Sequence, residues 1–230
     1  MEIRKNHPTP PCQSGNRQGE NGMVYLGDAG FLFASKGIGS KGRFTSLHPP
    51  ACLRTKSPSL EFGGITRSAM ALCELCYKTL KEYGSAAKYA CEHKLVTPAL
   101  DAIIEANVYL SGVGADNGGL ATAHSFYNGL TALGGHSVPH GNCVAFGTLV
   151  QLVLEGAPKE EFEEVQNFCL EVGLPITLEE IGITKEEEVR VIAEKACADG
   201  ESIHNMAGDV TPDELYAAIL AADTLGDARK

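Results

Sequence analysis

GGLATAHSFYNGLTALGGHSVPHGNCVAFGTLVQLVLE, residues 118–155, decides how the chain is read. Both ends of the stretch are apolar, rich in small residues and without strand-like alternation, which reads as two helices. Between them, Gly134 to Pro139 is turn-rich, so the second helix folds back on the first. His124 stands in the first helix and His140 at the start of the second. Neutral imidazole is a common ligand of Zn and Fe, and two imidazoles on adjacent elements can share one cation. A catalytic zinc commonly takes three protein ligands and leaves a position open. A histidine in an apolar helix is equally read as a satisfied core residue, and spacing alone does not choose between the two.

Helix signals extend outward from this hairpin in both directions. Towards the N-terminus, Arg67 to Tyr83 carries apolar residues at helical spacing, with Thr66 as N-cap and Gly84 past the end. Ser85 to Leu95 reads as a second, shorter helix. Thr97-Pro98 then gives a cap with proline at the first helical position, opening a helix towards Leu110. Glycines 112, 114, 118 and 119 are expected to break the chain before a helix from about Leu120 to Leu133. The helix after Gly141 is expected to end near Gly156. On the C-terminal side, Pro158 enters a helix from Lys159 to Val172, closed by Gly173. Thr177 to Glu180 fits a capping box, Thr184 starts a helix closed by Gly200, and Thr211-Pro-Asp-Glu214 opens a last helix towards Leu225. The fold class expected is all-α, a helical bundle of about eight helices from residue 61 onward.

Residues 1–60 differ from the rest. Proline, glycine, serine and basic residues dominate, and no helical period persists, so this part reads as an irregular segment and residues 61–230 as the helical domain. Eight Lys/Arg stand against three Asp/Glu in residues 1–60, and eleven against twenty-six in residues 61–230. The acidic surface of the larger part argues against a nucleic-acid partner. No stretch approaches the roughly 20 apolar residues of a membrane span, and the polar, proline-broken N-terminus reads as no signal peptide. The eight cysteines are scattered and mostly sit within helical patterns, as expected of reduced thiols in a cytoplasmic protein. Cys73 and Cys76 form a C-x-x-C, but mid-helix and with no second pair, which reads as a buried thiol pair rather than a metal site. Gly37-Ile-Gly39-Ser-Lys-Gly42 fits G-x-G-x-x-G formally. No strand-turn-helix context surrounds it, so it reads as a loop and not a dinucleotide site.

Longer strings carry more information than these signals. LSGVGADNGGLATAHSFYNGLTAL and HSVPHGNCVAFGTLVQLVLE, within residues 110–155, closely resemble the metal-binding region of the glycerol dehydrogenases, which belong to the iron-containing, or group III, alcohol dehydrogenases. ALCELCYKTLKEYG, VTPALDAIIEANVYLSG, GLPITLEEIGI, AEKACADGESIHNM and TPDELYAAILAAD look like further segments of that family's helical C-terminal domain. The resemblance covers residues 51–230 and is dense from Gly63.

What the resemblance implies is an NAD-dependent oxidation of glycerol to dihydroxyacetone, assisted by a divalent Zn or Fe cation held by one Asp and two His. His124 matches the histidine of the family's A-A-H segment and His140 that of its H-G segment, so these two are the implied metal-binding and catalytic residues. Residues 1–50 do not resemble the family's nucleotide-binding domain, and the ligand Asp is not recognisable. Asp28, in Gly27-Asp28-Ala29, is a faint echo at the wrong spacing. Tyr127 stands where relatives often carry another His, which implies an altered pocket. His136 reads as an exposed loop residue and His204 as structural, while Asn128, one turn after His124, is placed to orient the imidazole or to bond across helices. The family's implied partners are a polyol substrate and further copies in a homo-oligomer. The alternative expectation is a non-catalytic helical metal-binding or oligomerisation module, or a truncated gene product.

Overall fold

The computed structural model describes residues 66–134, 138–206 and 208–230. Among these residues there is no strand, and eight α-helices follow one another. They are α1 (Arg67–Glu92), α2 (Pro98–Glu105), α3 (Ser111–Gly118), α4 (Thr122–Thr131), α5 (His140–Leu154), α6 (Lys159–Val172), α7 (Glu186–Ala196) and α8 (Pro212–Asp227). A π-helical turn, Ala106–Leu110, joins α2 to α3. Short 3-10 turns lie at Glu179–Ile181 and Ser202–Asn205. The all-α bundle expected from the sequence is the observed fold. The composition break near residue 60, Asp28, Gly37 to Gly42 and His136 lie outside the described residues.

α5 is the axis of the bundle because it is apolar on every side. Every residue from Gly141 to Leu152 is buried, and no charged residue occurs between them. A helix apolar all round must be surrounded, and α5 is packed by α4, α6 and α8. Phe126 of α4 and Phe146 of α5 meet at 5.5 Å between ring centroids, tilted by 59°. Both rings are 0% exposed, and burial of a side chain of this size contributes about 1.5–3 kcal/mol. That contact holds the two histidine-bearing helices together from the core side.

Two glycines have uses other than those the sequence suggests. Gly84 does not end a helix, and α1 runs through it to Glu92. A Cβ there would lie 2.7 Å from Cε2 of Phe168 on α6, so Gly84 is where α1 admits the Phe168 ring. Gly112 and Gly114 likewise lie inside α3, and the chain turns only at Gly119, whose φ is 76°.

The C-terminal boundaries shift by one to four residues. α7 begins at Glu186 after Lys185, and Glu188 accepts hydrogen bonds from the amides of both Thr184 and Lys185. It ends at Ala196, ahead of Gly200. At Thr177 only half of the expected capping box forms. Glu180 accepts from the Ile176 and Thr177 amides, while the Thr177 hydroxyl accepts from Lys230 Nζ at 2.9 Å. The box at Thr211 and Glu214 is complete.

The cysteine pair behaves as expected of a packed pair. Cys73 and Cys76 are buried, and their thiols donate to the carbonyls of Gly114 and Ala106. Burial and the neighbouring Cys73 push the Cys76 thiol up to about 12, which keeps it protonated and poorly suited to metal. Among the described residues no helix is long and apolar enough to cross a membrane.

Candidate functional site

α4 and α5 bring His124 and His140 together. Their ring centroids lie 5.5 Å apart with the planes inclined by 53°. His124 is the third residue of α4 and is 5% exposed. His140 is the first residue of α5 and half-buried. Tyr127, one turn along α4 from His124, sets its ring edge-on to His140 at 4.2 Å, with planes 89° apart. The tyrosine therefore walls one side of His140.

Burial, and secondarily the charge of a protonated His140, push His124 down to about 3. The ring is neutral at ordinary pH, the state in which an imidazole nitrogen offers a lone pair to a metal. A cation holding two imidazoles tetrahedrally, with metal–nitrogen distances of about 2.0–2.1 Å, sets their centroids about 5 Å apart. The pair fits that requirement. Two buried oxygens flank it in sequence. Thr122 Oγ1 and Asn142 Oδ1, each two residues from one histidine, have no hydrogen-bond partner among the described residues. Buried oxygens of this kind are normally satisfied by water or by a bound group. Among the described residues no group of three or more His, Cys, Asp or Glu gathers at one point. His204 is not brought to the pair as a donor. Its Nε2 sits 3.1 Å from the Ala198 carbonyl oxygen, in keeping with a structural role.

The entry to α4 is held from two sides. The Ala121 carbonyl accepts hydrogen bonds from the Ser125 amide, the Ser125 hydroxyl and the Ser202 hydroxyl, the last at 2.9 Å. Asn205 Nδ2 donates to the Leu120 carbonyl at 2.8 Å. One turn after His124, Asn128 Nδ2 donates to Glu201 at 2.7 Å, and Lys195 of α7 pairs with the same carboxylate at 2.8 Å. Asn128 thus ties α4 to the segment between α7 and the Ser202–Asn205 turn. From the opposite side Gln151, 1% exposed on α5, accepts from the Ala123 amide at 3.2 Å. The sequence reading missed Gln151 and Glu201. The available signal for Gln151 was a long polar side chain in a helix otherwise committed to burial.

Burial alone would raise the Glu201 carboxyl. Hydrogen bonds from Lys195 and Asn128, with the charges of Lys195 and His204, outweigh it and hold the pKa below the ordinary carboxylate value. A lowered folded pKa contributes stability that is whole above the unfolded pKa and lost as pH falls through the folded one. Glu201→Gln is therefore expected to lower stability by about 1 kcal/mol at neutral pH and to converge with the wild type in acid. Urea melts across that pH range measure the difference, and a gap that persists in acid would refute this account.

No family model matches the chain. The chain is 54% identical over 179 residues to the glycerol dehydrogenase of Escherichia coli O6:H1, a match covering 76% of this chain and 49% of that protein. The crystal structure of the glycerol dehydrogenase from Schizosaccharomyces pombe superposes with a TM-score of 0.79 at 33% identity, covering 90% of this chain and 51% of that one. The iron-containing alcohol dehydrogenase from Thermococcus thioreducens shares the fold, with a TM-score of 0.58 at 18% identity over 88% of this chain and 51% of that one. The chain thus spans about half the length of the curated relatives it matches. By sequence and by fold, then, it is similar to the glycerol dehydrogenases of the iron-containing alcohol dehydrogenase family over about half of their length, and its described helices match their helical C-terminal domain.

Proposed function

We propose that the chain is the metal-holding part of an NAD-dependent polyol dehydrogenase, with glycerol as substrate and dihydroxyacetone as product. The observation that carries this reading is the meeting of His124 and His140, 16 positions apart in sequence, with ring centroids 5.5 Å apart. His124 and His140 would hold the cation, Zn²⁺ or Fe²⁺. Bound there, the cation would supply Lewis-acid polarisation of the substrate hydroxyl, the chemistry that a hydride transfer to NAD⁺ requires. The protein's own contribution is positional. His124 is kept neutral by burial, His140 is kept in place by the Tyr127 ring, and the buried rim of α4 and α5 limits the water around them. Assembly of several copies belongs to the same reading.

The donor set favours a second reading as well, because among the described residues no group of three or more His, Cys, Asp or Glu gathers at one point. A helical module holding a cation without turnover, acting through assembly with longer relatives, retains every feature described here. The purified chain supplied with Zn²⁺, NAD⁺ and glycerol decides between the two. NADH formation that is lost in His140→Ala supports the dehydrogenase. Stoichiometric Zn²⁺ binding with no NADH formed favours the module.

A further inference from the structure

α4 begins without a cap of its own. Its N-cap residue is Ala121, which has no side-chain acceptor, and the first turn of any helix leaves amides without intrahelical partners. The acceptor comes instead from the neighbouring helix. Gln151 Oε1 takes the Ala123 amide at 3.2 Å, across 28 residues of sequence. The other end of the same amide donates from Nε2 to Glu155 Oε1 at 3.1 Å. Those two partners fix which end of the side chain faces which way. Ala123 immediately precedes His124, and Gln151 lies on the helix that begins with His140. The contact also falls at the closest approach of the two helices. A Cβ on Gly147, one turn before Gln151, would lie 2.7 Å from the Ala123 carbonyl oxygen. The backbone just before His124 is thus pinned through its carbonyl side by Gly147 and through its amide by Gln151.

We infer that Gln151 is a positioning residue, a cap supplied across the hairpin that sets the His124 backbone against the His140 helix and so fixes the separation of the two imidazoles. The functional consequence rests on reading the pair as a cation site. The geometric consequence does not, and the test separates them. Gln151→Met keeps the length and shape of the side chain but removes the acceptor. The double variant Gln151→Glu with Glu155→Gln keeps an acceptor for the Ala123 amide and restores a donor–acceptor pair along α5. Thr211→Ala, which removes the side-chain cap of α8 and leaves Gln151 and its partners in place, serves as the stability control.

Two readouts apply: amide exchange of Ala123 followed by NMR in the metal-free chain, and Co²⁺ binding followed by its visible absorption. Gln151→Met is expected to speed Ala123 exchange about tenfold and to weaken Co²⁺ about 10–100-fold, the usual cost of losing a group that orients a ligand. The double variant is expected to restore both. Thr211→Ala is expected to lower the melting temperature without changing either. Wild-type Ala123 exchange and Co²⁺ affinity in Gln151→Met would overturn the inference, as would equal weakening of Co²⁺ binding by Thr211→Ala. Wild-type protein that binds no Co²⁺ would sink the cation reading instead, and Ala123 exchange would then decide the positioning role by itself.

Discussion

Gly147→Ala is expected to lower stability by about 3 kcal/mol, at the upper end of the usual cost of overpacking. The added methyl would lie 2.7 Å from the Ala123 carbonyl oxygen, 3.0 Å from its Cα and 3.2 Å from Phe126 Cδ1. The first two are backbone atoms of α4, so relief requires moving the helix and not rotating a side chain. α4 cannot move freely, because Ser202, Asn205 and Glu201 hold its other side. Gly112→Ala is the matched control. Gly112 also lies inside a helix and is exposed, and a Cβ there meets nothing within 4 Å. That exchange is expected to stabilise by up to about 1 kcal/mol, because alanine loses less conformational freedom in a helix than glycine. For a chain of this size the pair should shift the melting temperature in opposite directions, by about 6–12 °C downward and 2–4 °C upward. Equal shifts would mean that the approach of α4 to α5 is looser than described.

The helices were legible because their signals are local. Caps such as Thr66, Thr97 and Thr211 act within three residues, and proline at the first helical position shows at a glance in Thr97-Pro98 and Thr211-Pro212. Glycine was misread where its role is long-range. Gly84 reads as a helix end by composition, yet it serves Phe168, 84 positions away in sequence. Nothing within a window around Gly84 encodes that contact. The π-helical turn at Ala106–Leu110 is similar, since Cys76, thirty residues earlier, bonds the Ala106 carbonyl there.

The site divides in the same way. The histidine pair could be foreseen because a hairpin brings near neighbours in sequence together. The groups that hold the hairpin in place could not. Glu201 meets Asn128 across 73 residues and Ser202 meets the Ala121 carbonyl across 81. Such partners follow from the packing of α7 and the following turn against α4, which no periodicity reveals. Resemblance supplied the chemical meaning of the histidines, and the geometry supplied their separation and the neutrality of His124.

His124→Ala and His140→Ala are each expected to weaken Zn²⁺ or Co²⁺ binding by more than the roughly 100-fold that loss of a mere orienting group costs. In the proposed site either substitution leaves a single imidazole, and one imidazole competes poorly with water for the cation. The two variants should differ in stability without metal. His124 is buried, so its removal leaves a hole between α4 and α5, expected to cost about 2 kcal/mol. His140 is half-exposed, and its loss is expected to cost less than about 1 kcal/mol. Added metal should reverse the comparison with the wild type. A cation at about 100 times its dissociation constant raises wild-type stability by about 2.7 kcal/mol, and neither variant should gain that increment. The double variant should bind no more weakly than the worse single one, because two ligands to one ion act as a unit. Thermal melts with and without Zn²⁺, alongside titration calorimetry, read all of these together. An undiminished Zn²⁺-dependent rise in melting temperature in His140→Ala would place the cation elsewhere and return the pair to an ordinary core contact.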